Sequence, residues 1–182
     1  MRTALVALLI LALGQVAVAQ TPYFQIYFDD AHAIAAMDCP TAPVGTVLDT
    51  LHVVAHNFNN FIIATEYSID YSSRLSWQGD ITTADIVIGN SPIGISQAWT
   101  YPLDAFVPLR VMSATVFWMC SGCAGNSNTP VVVMPNPETS VLAYVSWPGV
   151  QAIPAVGMTS LICATVPVEE TSWGQIKALY QE

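Results

Sequence analysis

The feature that most narrows what this chain can fold into is a recurring rhythm of short apolar stretches punctuated by Pro, Gly and Asn. Residues 61–71 show it best. Phe61, Ile63, Thr65, Tyr67, Ile69 and Tyr71 share one parity, while Glu66, Ser68 and Asp70 fall on the other. Successive side chains of a strand point to opposite faces, so this pattern predicts a strand with one buried face. Residues 47–58 behave alike, with Leu51, Val53 and Ala55 opposed to Thr50, His52 and His56. Asn57-Phe58-Asn59-Asn60 supplies turn chemistry between the two segments, and the expectation is an antiparallel hairpin.

Further strands are expected near residues 23–28, 86–88, 95–99, 109–118, 131–134, 141–147 and 158–166. Between them lie Pro40 to Pro43, Gly89-Asn90-Ser91-Pro92, residues 121–129 and Pro135-Asn136-Pro137. No long helical periodicity interrupts this series. The pattern predicts an all-β fold, a single antiparallel β-sandwich with Greek-key connections over residues 20–167. The apolar fraction of 53% against 9% charged residues suits one domain with a substantial core. Leu109 and Val111 share one parity and Ala114, Val116 and Trp118 the other, so a bulge is expected near Ser113. Trp118 and Trp147 sit in apolar runs and are expected in the core.

Residues 1–19 read as an export signal and not as structure. Arg2 gives a positive start, Ala4 to Leu13 an apolar run, and Ala17-Val18-Ala19 the small-x-small pattern after which a signal peptidase cuts. The mature chain is then expected to begin at Gln20, secreted or at the cell surface, with no later apolar run long enough to span a membrane as a helix. Four basic residues face thirteen acids, for a net charge of −9, and losing Arg2 makes it one unit more negative. Such a surface disfavours nucleic acid and anionic lipid. It leaves a cationic or neutral partner. Residues 168–182 form an expected short helical or irregular tail, with Ser172 as cap and Trp173, Ile176 and Tyr180 at helical spacing. That tail either packs on the sandwich or serves as a recognition segment for export or surface attachment.

The run Ile26-Tyr27-Phe28-Asp29, then Cys39, then the Gly45-containing approach to Leu51-His52-Val53-Val54-Ala55, then Ala64-Thr65-Glu66-Tyr67-Ser68-Ile69, resembles the opening of a group of uncharacterised secreted bacterial β-sandwich proteins. It is also similar to cohesin-like domains, where a Val-rich strand, an Asn-rich turn and an Ala-x-x-Tyr-x-Ile-x-Tyr strand precede a Leu such as Leu75. Ig-like sandwiches share these periodicities. The resemblance covers the first half of the mature chain. It implies a sandwich fold and a protein-binding role, and it brings no catalytic residues and no named dockerin partner. The closing Trp173-Gly174 to Tyr180 pattern is similar to tails of other secreted bacterial proteins.

Four cysteines in an exported chain favour disulfides. Three pairings are open; a local Cys120 to Cys123 link across Ser121-Gly122 is favoured, which leaves Cys39 for Cys163. The same C-x-x-C would be a redox centre at a helix start, but a strand precedes it and a Gly/Asn/Ser loop follows. A zinc site needs a second close pair, which Cys39 and Cys163 do not form. His52 and His56 lie about 13 Å apart along a strand, too far to share an ion easily, and are expected to be exposed strand residues. Asp29, Asp30 and Asp38 are candidate calcium ligands, with His32 beside the first two, but they lack the spacing of a calcium loop.

No Gly-x-Ser-x-Gly elbow is present, and no Ser, His and Asp set is placed by a motif. Trp77, Trp99 and Tyr101 border loops and are candidates for stacking on a sugar, although core packing is the commoner use of such rings. The expectation is a non-catalytic structural or protein-interaction module of the bacterial surface or matrix, without a cofactor. The alternative is a carbohydrate-binding module taking a neutral glycan.

Overall fold

The computed structural model describes residues 20–37, 48–119 and 129–163. In chain order the strands are β1 (Tyr23–Tyr27), β2 (Ala36–Met37), β3 (Leu48–His56), β4 (Phe61–Asp70), β5 (Leu75–Ile81), β6 (Ile86–Asn90) and β7 (Gly94–Asp104). They continue as β8 (Leu109–Trp118), β9 (Thr129–Met134), β10 (Ala143–Trp147), β11 (Gln151–Pro154), β12 (Val156–Gly157) and β13 (Thr159–Ile162). No helix occurs among the described residues, and so none there is long and apolar enough to cross a membrane. The first sheet runs β12-β1-β3-β8-β5; the second runs β11-β10-β4-β9-β13-β2, with β7 on the other side of β4 and β6 beyond it.

The two sheets bury their facing sides in one core. Phe24, Ile26, Leu51, Val53, Ala55, Ala114 and Val116 come from the first sheet; Ile62, Tyr67, Ile69, Ile95, Val131 and Val133 come from the second. The all-β sandwich is therefore the observed fold. The expected hairpin, however, does not form. β3 pairs with β1 and β8, whereas β4 pairs with β7, β9 and β10. Asn57 and Asn59 do adopt positive φ, in keeping with their turn chemistry. But the connection arches from one sheet to the other and drops Phe58 into the core, edge-on to Phe24 and stacked on Tyr144 at 4.0 Å. Each segment has one apolar face, and facing each other across the core buries both.

Parity along β4 also breaks once. Thr65, Tyr67, Ile69 and Tyr71 point inward as expected, yet Ile62 is buried and Phe61 is exposed. Ile63 has no opposed residue on β10 or β7, and this extra residue reverses the faces on either side of it. In β8 the bulge lies at Val111, two residues before the expected site, because Val53 opposes Met112 and Val54 opposes Arg110. Trp118 is buried, with 1% exposed, but Trp147 is 46% exposed and is not in the core. Strands β2, β5, β11 and β12 lie outside the segments that alternation predicts. β11, β12 and β13 switch from the second sheet to the first and back, and Gly157 permits this crossing: a Cβ there would lie 1.7 Å from Val133 O.

A polar link ties the sheets on the opposite side. Asp80 of β5 accepts the Ser91 amide at 2.7 Å and the Trp77 indole N–H at 2.9 Å, and Ser91 lies in the turn between β6 and β7.

Trp118→Ala is expected to lower stability by about 3–5 kcal/mol, and Trp147→Ala by about 0.5 kcal/mol or less. Urea unfolding midpoints measure both. Equal losses would contradict the exposed position of Trp147.

Candidate functional site

The bulge at Ile63 decides which residues of β4 face solvent on the second sheet: Phe61 before it, Ala64 and Glu66 after it. Opposed residues on neighbouring strands point to the same face, so the register extends each of these into a row. Trp147, Phe61 and Asp104 form the first row. Ala152, Val145, Ala64, Ala98 and Ile86 form the second, and Pro154, Ala143, Glu66, Ser96 and Ile88 the third.

Alanine side chains end at Cβ, so the middle of this face is low. Ile86 and Ile88, 60% and 68% exposed, stand up along the β6 side. The resulting depression has a volume of about 190 Å³. At one end Phe61 and Phe106 meet edge to face at 5.4 Å, beside Trp147. No strand of the second sheet contains Lys, Arg or His, while Glu66, Asp70 and Asp104 belong to it. Glu66 is held by Asn136 Nδ2, which donates at 3.0 Å, and by the Thr139 hydroxyl. Asp85, just before β6, accepts the Thr100 amide at 2.6 Å, and that hydrogen bond holds its carboxyl below the usual range. The face is apolar with an acidic surround.

The expected sugar platform is not assembled from Trp77, Trp99 and Tyr101. Trp77 lies on β5 of the first sheet and is half-buried. Trp99 is 7% exposed and packs in the core, while Tyr101 is 81% exposed. Between Ala98 and Leu103, β7 carries four residues against the single Ile63 of β4. This excursion turns Trp99 inward and Tyr101 out. The exposed aromatic row consists instead of Trp147, Phe61 and Phe106.

Cys163 is buried after β13, with Arg74 Nη1 3.7 Å from its Sγ, and no described cysteine is free. Cys39, Cys120 and Cys123 lie outside the described residues, as do Asp38, residues 1–19 and the tail residues Trp173, Ile176 and Tyr180. Asp29 Oδ1 accepts the amides of Ala33 and Ile34 at 3.0 and 2.6 Å; the Ile34 bond above all lowers its pKa. Asp30 accepts Arg110 Nη1 at 2.9 Å. The two carboxylates thus fasten a loop and pair with a cation. Among the described residues no three His, Cys, Asp or Glu side chains are arranged to hold a metal ion.

On the outside of the first sheet the structure gathers all three histidines, which no spacing in the sequence foretells. His52 is buried and not exposed, because Ser113 opposes it on β8 and its Nδ1 lies 2.9 Å from Ser113 Oγ. Its Nε2 is 3.3 Å from Asp30 Oδ1. The 29–34 turn, with His32 at positive φ, folds that ring to 6.0 Å from His52 and 5.8 Å from Tyr27. His56 stacks on Tyr23 at 4.7 Å, and its Nε2 lies 3.1 Å from the Tyr27 hydroxyl. A Ser, a His and an Asp therefore do meet, through cross-strand opposition and the 29–34 turn.

Burial, and then Arg110, lower the His52 pKa; burial, and then His32, lower that of His56. The folded chain thus resists protonation that the unfolded chain accepts near the ordinary value of 6.5. The stability contributed by the two neutral rings is present above that value and is lost as pH falls from it toward the folded pKa values. Urea midpoints measured from pH 8 down to pH 5 are expected to decline, and to decline less in the His52→Gln, His56→Gln double variant. An identical decline in that variant would exclude these rings as the cause.

No protein-family model matches the sequence, and no curated protein matches it. Among solved structures, the chain is similar to CaCohA2 in its complex with CaDoc0917 at pH 5.5, at 12% identity and a TM-score of 0.48, over 80% of this chain and 100% of that one. It is also similar to the seventh ScaB type I cohesin from Pseudobacteroides cellulosolvens, at 10% identity and a TM-score of 0.46, over 82% and 96% of the two chains. A third is CaCohA2 from Clostridium acetobutylicum in solution, at 14% identity and a TM-score of 0.45, over 81% and 92%. The likeness to cohesin-like domains expected from the opening segments is thus met again among solved structures.

Proposed function

We propose that this chain is an exported, non-catalytic protein-interaction module that docks its partner on the outer face of the second sheet. The supporting observation is the trough itself: an alanine and valine floor between exposed Ile86 and Ile88 on one side and an aromatic end formed by Trp147, Phe61 and Phe106. A contiguous exposed apolar patch marks an interaction site, because covering it removes apolar area from water at about 25 cal/mol per Å². The sign of the surround favours a neutral or basic partner. Residues 1–19 direct export, and residues 168–182, with Trp173, Ile176 and Tyr180, serve surface attachment.

Two disulfides go with this reading. β2 and β13 pair in parallel, Leu161 with Ala36 and Ile162 with Met37, which carries the chain to Cys163 on one strand and within two residues of Cys39 on the other. That register supports a Cys39 to Cys163 link and leaves Cys120 for Cys123. A second functional reading, neutral-glycan binding, is favoured by the exposed Trp147 ring beside Phe61 and the Asp104 carboxylate.

The partner captured from the source culture and then purified is expected to bind Ala64→Arg, Ala98→Arg protein at least about tenfold more weakly by calorimetry, with melting unchanged. Undiminished binding would refute the docking face. Glycan-array binding lost in Trp147→Ala would favour the second reading. Non-reducing peptide mapping is expected to recover Cys39 linked to Cys163 and Cys120 to Cys123; any other pairing overturns that assignment.

A further inference from the structure

We infer that β6 is the attachment edge for an extended partner segment, apolar at its centre and flanked by Lys or Arg, which joins the second sheet as an additional strand. This rests on the docking reading above and specifies its partner. Among the described residues β6 pairs only with β7, so its outer side offers an unpaired row of backbone groups. Sheet edges are ordinarily blunted by a charge, a proline or a bulge. Here Ile86, Val87 and Ile88 stand exposed without any of these. Ile86 and Ile88 end the second and third rows of the outer face, and Val87 points the other way. An added strand therefore finds apolar neighbours on both of its faces and main-chain partners between them.

The length of the edge sets the length of the guest. Gly89 has φ +79° where the hairpin closes on Gly94, and a Cβ there would lie 2.1 Å from Gly94 O. Three apolar residues match Ile86 to Ile88, and the flanks then fall beside acids. Asp85 precedes the strand, and Glu66 belongs to the Ile88 row. Charge selects among occupants. A second copy of this chain carries a net charge of −9 and presents the same acids, and the last fifteen residues hold three Glu against one Lys. A basic-flanked segment of another protein meets no such repulsion.

The probe is a blocked peptide, Lys-Lys-Ile-Val-Ile-Lys-Lys, titrated by fluorescence anisotropy into the mature protein at low salt. Two forms N-methylated at alternate residues are compared with it, one of which blocks the amides that pair with β6. One methylated form, a Glu-for-Lys peptide and the Val87→Lys protein are each expected to bind at least about tenfold more weakly, while Ala64→Arg protein stays within about twofold. No binding of the parent peptide, equal binding of both methylated forms, or equal binding of the Glu peptide would overturn strand addition. The docking reading fails separately: if the purified partner is insensitive to Val87→Lys yet loses affinity with Ala64→Arg and Ala98→Arg, the face stands and the edge falls.

Discussion

The Asp80 carboxylate is the fastening on which the placement of the outer face depends. It projects from β5 of the first sheet and accepts two groups of Ser91, the amide at 2.7 Å and the hydroxyl at 2.5 Å, as well as the Trp77 indole N–H. Tyr71 at the end of β4 closes the network through its hydroxyl on Ser91, and the Ile69 amide donates to Ser91 O at 2.7 Å. Ser91 is wholly buried, and burial pushes the Tyr71 phenol far up. Hydrogen bonds to an ionised acceptor are about twice as strong as neutral ones, and a buried donor left unmade is expensive. One carboxylate thus pins the β6–β7 hairpin to β4 and to the opposite sheet, and the rows of the docking face are held in line with it.

The two outer surfaces divide the chemistry of the chain. The first sheet carries the three histidines, Tyr23, Tyr27 and Arg110, with the 29–34 turn folded over them. The second carries alanines, isoleucines and acids, and no base in any strand. Protonation between neutral and mildly acidic pH therefore bears on one surface and leaves the other, which holds no imidazole, chemically constant. Interaction and titration are assigned to opposite sides of one core.

Much of the sandwich is legible in the sequence because alternation reports burial. Leu51, Val53 and Ala55, and later Thr65, Tyr67 and Ile69, point inward as their parity requires. Alternation does not report which sheet a strand joins, so β3 and β4 read as a hairpin although they face each other across the core. It is also blind to single inserted residues. Ile63 and Val111 are apolar on either side of a bulge, and nothing in their neighbours marks the extra position. The candidate site is less legible still. Its floor is alanine and valine, residues without a chemical signature, and only register brings Ala64, Ala98 and Val145 together. Trp99 and Trp147 exchange their expected roles because aromatic identity says nothing about which side of a strand is turned to solvent. The histidine cluster needs the 29–34 turn, whose course is set by Asp29 and not by spacing along β3.

β1, near the start of the described chain, lies parallel to β12, near its end, through Tyr23 opposite Val156 and Phe24 opposite Gly157. A pull that draws the two ends of the sandwich apart acts along these strands and not across them. Their hydrogen bonds then bear load together in shear, where a hairpin would unzip bond by bond. For a module tethered between a surface and a bound partner, the same short pairing that closes the sandwich makes it a mechanical clasp.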